Sequence, residues 1–188
     1  MVKLSLLICT LENRKDFLAK LMACIDKQKT DEVEVLFSLD NGDKTTGQKR
    51  NELLEQAQGE YTAFLDDDDM ISDDYVSLVL DAINKSNPDV IGMHLLMTVD
   101  GENEERTYHA LKYDHWWDEP DPERPGRTRY FRNPNHLNPV KKELALKTKF
   151  IDTDWGEDLE YSKGLLQYLK TEEYIESPIY YYLCRSNK

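Results

Sequence analysis

Four carboxylates in a row, Asp66-Asp67-Asp68-Asp69, follow directly on the apolar stretch Tyr61 to Leu65. Adjacent like charges repel unless something positive sits between them. Carboxylate oxygens suit hard divalent cations such as Mg²⁺, Mn²⁺ or Ca²⁺. In open α/β sheets, ligands bind in the crevice beyond the carboxyl ends of the strands, where this run falls. A calcium-binding EF-hand loop starting at Asp66 would need Gly at its sixth position and Glu at its twelfth, and Ile71 and Ser77 stand there instead. Neither of the glycine-rich phosphate loops, GxxxxGKS/T or GxGxxG, occurs. A glycosidase pair flanks its scissile bond from opposite sides, a poor fit to neighbours on one strand end. The reading without chemistry is a solvated acidic turn running into the next helix.

Other residues have the types for chemistry. Asp158, flanked by Glu157 and Glu160, opens an acidic helix start, which is either a base or dipole stabilisation. Arg124, Arg127, Arg129 and Arg132 form a basic island, either a solvated loop balancing nearby acids or a clamp for phosphate or an acceptor anion. His136 precedes a predicted helix and is a candidate for metal or acceptor contact, or a structural hydrogen-bonding residue. Trp116 and Trp117 offer faces for a sugar, or anchors for a loop. His94 falls in a strand and reads as core or edge.

The elements that must position these residues follow from hydrophobic period. Leu4 to Cys9 is a nearly continuous apolar run, as expected of a strand buried on both faces. Phe17, Leu18, Leu21, Cys24 and Ile25 recur at helical spacing. Val33, Val35, Phe37 and Leu39 alternate as a strand that ends at the turn Asp40-Asn41-Gly42-Asp43. A helix from Gly47 to Gln58 with Gly59 at C′, then the strand Tyr61 to Leu65, come next. Ser72 reads as an N-cap with Asp73 and Asp74 in the first turn of a helix whose face is Val76, Val79, Leu80 and Ile83. Asn87-Pro88 breaks it, Val90 to Val99 returns as a strand, and Asp100-Gly101 marks a hairpin into Arg106 to Leu111. From Tyr113 to Asn138 no period is sustained, which predicts a long loop. Helices over Val140 to Lys149 and Glu157 to Leu169, and a strand Ile179 to Cys184, complete the pattern. Alternation of strand and helix implies an α/β fold with a mostly parallel, Rossmann-like central sheet flanked by helices.

At 188 residues the chain fits one domain with a substantial core, and 39% hydrophobic with 32% charged residues is an ordinary globular balance. No apolar run reaches the roughly 18–20 residues that span a bilayer, and residues 1–9 do not read as a secretory signal. Cys9, Cys24 and Cys184 allow at most one bridge and no CxxC pair exists, which reads as reduced thiols in a cytoplasmic protein. A net charge of −13 argues against nonspecific nucleic-acid binding.

Several segments together resemble family 2 glycosyltransferases of the GT-A fold. They are Cys9-Thr10-Leu11-Glu12-Asn13-Arg14, Val33-Glu34-Val35 with Asp40-Asn41-Gly42, and Gly47-Gln48-Lys49-Arg50-Asn51. Ala57-Gln58-Gly59-Glu60-Tyr61, Phe64-Leu65 with the four aspartates, Gly156-Glu157-Asp158-Leu159-Glu160-Tyr161 and Pro178-Ile179-Tyr180-Tyr181-Tyr182 complete the set. The resemblance covers nearly the whole chain and implies a nucleotide-sugar donor, usually a UDP-sugar, with inversion at the anomeric carbon. It also implies an acceptor hydroxyl on a glycan or other molecule, and Mn²⁺ or Mg²⁺ bound at a DXD-type motif.

By motif position, Asp68 would be the main metal ligand and Asp69 its support, with a one-residue slip left open. Asp66 would contact the ribose or order the site, and Asp67 joins it in the donor pocket. Asp40 and Asn41 would meet the base or ribose, while Thr10 and Glu12 line the nucleotide pocket. Lys49 and Arg50 would approach the donor phosphates, or else form a solvated helix face. Asp158 would be the general base. The resemblance implies a single catalytic domain, 1–188, with a nucleotide-sugar half at 1–100 and an acceptor half at 101–188 containing the loop 113–138. The usual Pro before Thr10 is replaced by Cys9. The competing classes are a nucleotidyltransferase and a noncatalytic sugar- or partner-binding module of the same fold.

Overall fold

The computed structural model describes residues 1–185. Strand β1 (Leu4–Leu11) lies between β2 (Val33–Asp40) and β3 (Tyr61–Asp66), and all three run parallel. Their parallel direction aligns the carboxyl ends, so Leu11, Asp40 and Asp66 finish on one edge of the sheet. A 3-10 turn, Glu12–Arg14, leads from β1 into α1 (Lys15–Asp26), and α2 (Thr46–Gln56) links β2 to β3. The short β4 (Met70–Ile71) and then α3 (Tyr75–Ser86) follow. Strand β5 (Val90–Val99) folds back through Asp100-Gly101 onto β6 (Glu102–His109). Both turn residues have positive φ, 53° and 78°, the two-residue turn that Asp-Gly favours.

β1 alternates between two cores. Leu4, Leu6 and Ile8 pack with Leu21 and Ile25 of α1 and Val76, Val79 and Ile83 of α3. Leu7 faces the other way, with Leu53 and Leu54 of α2, Phe64, Phe150, and Tyr161 and Leu165 of α5 (Glu157–Leu166). The layering is therefore helix, sheet, helix, which is why β1 reads as apolar without a polar face.

The segment from Tyr113 to Asn138 is not the long loop its sequence predicts. It contains β7 (Trp117–Pro120) and β8 (Thr128–Arg132), with β8 parallel to β6 and β7 antiparallel to β8. Neither strand has a fully buried face, β7 alternating half-buried with exposed residues and β8 half-buried throughout, so no apolar period marks them, and Pro120 is tolerated at the edge strand. The helix expected over Val140 to Lys149 is only a bridge, β9 (Val140–Lys141), and one turn, α4 (Lys142–Ala145). Val140 pairs with both Thr62 and Val90, so sheet pairing takes it from the helix. The last strand, β10 (Glu172–Cys184), begins earlier than its apolar run. It runs parallel to β5 with register shifts around Pro178.

Two caps also differ from expectation. Ser72 does not cap α3: its hydroxyl bonds Asp74, and Asp74 holds the N-cap position without a side-chain cap bond. Helix α2 starts one residue earlier than predicted, capped by Thr45 with Gln48 in a reciprocal box. It ends at Gln56 with Ala57 as C-cap rather than at Gln58 with Gly59 at C′, and a Cβ on Gly59 would meet Ser5. The ladders β1–β2, β1–β3, β5–β10 and β6–β8 are parallel, the β5–β6 hairpin is antiparallel, and the sheet joins all ten strands among the described residues.

Candidate active site

Two cavities meet at the carboxyl end of β3, one along the edge of β1 to β3 and the other beside β5, β6 and β8. One, about 420 Å³, is lined by Thr10, Arg14, Gly42, Lys49 and the carboxylates Asp66, Asp67 and Asp68. The other, about 340 Å³, is lined by Leu95, His109, Trp116, Arg132, His136 and Asp158 among others. Arg50, Asp66, Asp154, Trp155 and Glu157 line both and form the wall between them.

The four aspartates separate into distinct environments. Asp66, the last residue of β3, accepts from Arg50 Nη2 at 3.0 Å, and its other oxygen lies 3.6 Å from His136 Nε2. Burial works against its charge, yet His136 and Arg50 hold the carboxyl well below the usual range. Asp67 is buried, accepting from Thr10 Oγ1 at 2.7 Å and from Arg14 through two guanidinium nitrogens. Asp68 is met by Arg14 Nη2 at 2.9 Å and Arg185 Nη1 at 2.8 Å. Both guanidinium groups stand over the Phe17 ring, at 5.4 and 4.3 Å. Asp69 turns away from both cavities and accepts from Tyr180 Oη and the Leu183 backbone N–H, each at 2.8 Å. Burial, the Asp66 charge and the Asp68 charge push its pKa well up.

Lys49 and Arg50 are not a solvated helix face. Both are buried on α2. Lys49 Nζ donates to the Thr10 carbonyl at 3.0 Å and to Asp40 at 2.8 Å. Asp40 also accepts from the Gly42 and Lys44 backbone N–H groups, so its side chain organises the turn. Burial alone would raise its pKa, but the Lys49 bond and those N–H groups lower it. Arg50 bridges Asp66 and Glu157, the latter at 2.8 Å, and packs over Phe64 and Phe150. Burial raises the Glu157 pKa against the opposing pull of Arg50.

Asp158 lines the second cavity, and its Oδ1 accepts from the Leu159 N–H at 2.8 Å. His136 is 6% exposed, and neither ring nitrogen has a hydrogen-bond partner within range. Trp116 lines this cavity, whereas Trp117 stacks on Phe131 and meets Tyr113 edge-on as an anchor of β7. Glu12 and Asn41 are exposed, Glu12 pairing with Lys15, and neither lines a cavity. His94 stacks on Tyr108 at the β5–β6 pair, as expected of a strand residue.

Three contributors went unread in the sequence. Arg14 follows β1 and faces the acidic run, so only the fold brings it to Asp67 and Asp68. Arg185 arrives from the end of β10. Trp155 is 83% exposed at the mouth of both cavities. Its segment is tied to α2: Thr46 N donates to Asp154 at 2.8 Å and Gly47 N to the Thr153 carbonyl at 3.1 Å. The adjacency of Trp155 to Gly156-Glu157 is the one sequence cue to it.

The topology is that of a GT-A fold. The model for Glycosyl transferase family 2 matches residues 42–141, more than half of the chain, and the chain belongs to that family of glycosyltransferase enzymes. Among solved structures it is similar to S. aureus TarS 1–349 in complex with UDP, at 15% identity and a TM-score of 0.72, covering 97% of this chain and 60% of that one. The same protein in complex with UDP-GlcNAc matches at 14% identity and a TM-score of 0.72, covering 100% of this chain and 60% of that one. The chain thus spans about 60% of those structures' length. A comparison with curated proteins finds no match.

Proposed function

We propose that this chain transfers a sugar, with inversion, from a UDP-sugar in the larger cavity to an acceptor hydroxyl in the smaller one. The carrying observation is the shared wall of Arg50, Asp66 and Glu157, which sets two compartments of different chemistry against one reaction point. Thr10, Lys49 and Asp66 to Asp68 mark the donor side, and TarS structures holding UDP and UDP-GlcNAc support a uridine donor there. On this reading residues 1–100 supply most of the donor half and 101–188 most of the acceptor half, within a single catalytic domain.

A divalent cation fits these residues only as a one-carboxylate site. The donor set is hard oxygen, suited to Mg²⁺ or Mn²⁺, but among the described residues no three acidic, His or Cys side chains converge into a cage. Asp68 would hold the ion together with donor phosphate oxygens and water, the usual manner for Mg²⁺. When bound, the ion supplies charge neutralisation to the departing diphosphate. Arg14, Arg185 and Lys49 already place fixed positive charge on this side, which favours the leaving group in the same way. Arg50 holds the Asp66 and Glu157 carboxyl groups in place through its two ion pairs.

Asp158 takes the proton of the acceptor hydroxyl as its oxygen bonds to the anomeric carbon and the bond to the diphosphate oxygen breaks. His136, beside Asp66, and Trp116 face the acceptor. No helix among the described residues is long and apolar enough to cross a membrane, and no disulfide forms among them. We place the enzyme in the cytoplasm.

Asp158→Asn tests the central claim. Transfer from UDP-sugars should fall by about 10²–10⁴, the usual contribution of a general base, while UDP affinity by calorimetry stays within a factor of about two. Near-normal turnover in that variant would remove the assignment. A purified protein that binds UDP but neither transfers nor hydrolyses UDP-sugars would instead be a binding module.

A further inference from the structure

Two of the four island arginines are paired with carboxylates, and a third, Arg127, is bonded to a neutral amide away from both cavities. Arg124 pairs with Glu104 and Arg129 with Glu119, each at 2.7 Å, and Arg127 bonds Asn103. Arg106 on the neighbouring strand is likewise held by Asp121. Arg132 differs. It is half-buried at the end of β8 and lines the acceptor cavity, yet no carboxylate of the described residues lies within salt-bridge range of it. Its guanidinium lies over the Trp116 ring at 5.1 Å and the Tyr130 ring at 5.3 Å. Nη1 alone is occupied, by the Trp117 and Phe131 carbonyls at 2.7 and 2.9 Å.

A partly desolvated cation without an acid partner is costly, and a chain of net charge −13 has carboxylates to spare for it. A second observation points the same way. The Trp116 indole N–H, a donor only, is buried with no acceptor among the described residues, and Trp116 lines the same cavity. The cavity's other ionised groups are committed: Asp66 and Glu157 to Arg50, Asp154 to Thr46. His109 adds no charge, since burial pushes its pKa down to about 3. Asp158 is the remaining carboxylate, outside salt-bridge range of Arg132.

Resting on the acceptor reading above, we propose that Arg132 and Trp116 form a subsite for an oxyanion carried by the acceptor, a carboxylate or a phosphate. The unused guanidinium donors and the indole N–H would bind it while a hydroxyl of the same molecule reaches Asp158. Arg132 is then a specificity-determining residue, and Leu95, Met97 and Tyr182 supply the apolar wall beside it.

Titration of the UDP-loaded protein with D-glucuronate, glycerol phosphate and D-glucose, read by ligand-observed NMR, tests this. One or both anions should bind at least about tenfold more tightly than glucose, the effect of one charge-assisted bond. The two anionic probes separate carboxylate from phosphate. Arg132→Met should abolish the preference with UDP affinity unchanged, and Arg132→Lys, which keeps the charge, should restore part of it. UDP binding reports on the donor reading separately. Equal affinity for anions and glucose in the natural protein would overturn the proposal. So would a preference that survives in Arg132→Met, or equal loss of charged and neutral ligands in it.

Discussion

Asp69 and His109 show how one buried group can be read by its hydrogen bonds. Asp69 joins β10 to the turn after β3 through Tyr180 and Leu183. Asp69→Ala leaves the buried Tyr180 hydroxyl and the half-buried Leu183 N–H without an acceptor and should cost about 1–3 kcal/mol, measured by urea unfolding. Asp69→Asn keeps an acceptor and should cost less, with UDP binding retained; loss of metal-dependent UDP binding in it would instead return Asp69 to the metal. His109 is buried, and its Nδ1 lies 3.1 Å from Asn138 Oδ1. Its folded pKa of about 3 lies below the unfolded value, so the unfolded state binds the extra proton on acidification. Stability from this group is complete above about pH 6.5 and falls between there and about pH 3. From pH 6.5 to pH 5 the loss should be about 2 kcal/mol. A His109→Asn variant should lack this fall, and parallel pH dependence in the two proteins would refute the assignment.

At the level of elements, α2 holds the site together. Its N-terminus is docked against the segment carrying Trp155, and its buried face carries Lys49 and Arg50. A Cβ on Gly47 would fall 1.8 Å from the Ile151 carbonyl oxygen, which is backbone and cannot step aside. Gly47→Ala should therefore displace the Ile151–Gly156 segment and weaken UDP binding by an order of magnitude or more, roughly 1.4 kcal/mol. Unchanged UDP affinity and melting temperature would show that this docking does not shape the donor cavity. Arg50→Met leaves the buried Glu157 and the half-buried Asp66 without their cation, a loss of about 3 kcal/mol in urea unfolding. Strands β1 to β3 and helices α1 to α3 were legible because each has a strong apolar period and short connections. β7 and β8 were not, because an edge strand and its half-buried neighbour carry no such period, and Val140 left its expected helix for a sheet pairing its own sequence does not announce.

Across the whole molecule, residues far apart in the chain converge on Asp68: Arg14 from behind β1 and Arg185 from beyond β10. Both guanidinium groups occupy the carboxylate assigned to a divalent cation. Arg185→Ala should tighten UDP binding in Mn²⁺ severalfold, within the roughly 1 kcal/mol range of a partly exposed pair, while leaving Mn²⁺-free binding the same or weaker. An unchanged ratio would show no competition. By itself the sequence determined the family, the alternation of strand and helix, and the strand end at which an acidic run must lie, since these follow from local period and contiguous motifs. Only the tertiary structure decided what each carboxylate does. It gave Asp66 to Arg50, Asp67 to Arg14, Asp69 to Tyr180, and left Glu12 and Asn41 outside the crevice. Four identical side chains in a row carry no distinguishing local signal. Their ionisation and partners are set by burial and by groups from 16 to 117 residues away in sequence, which meet only when the sheet has formed.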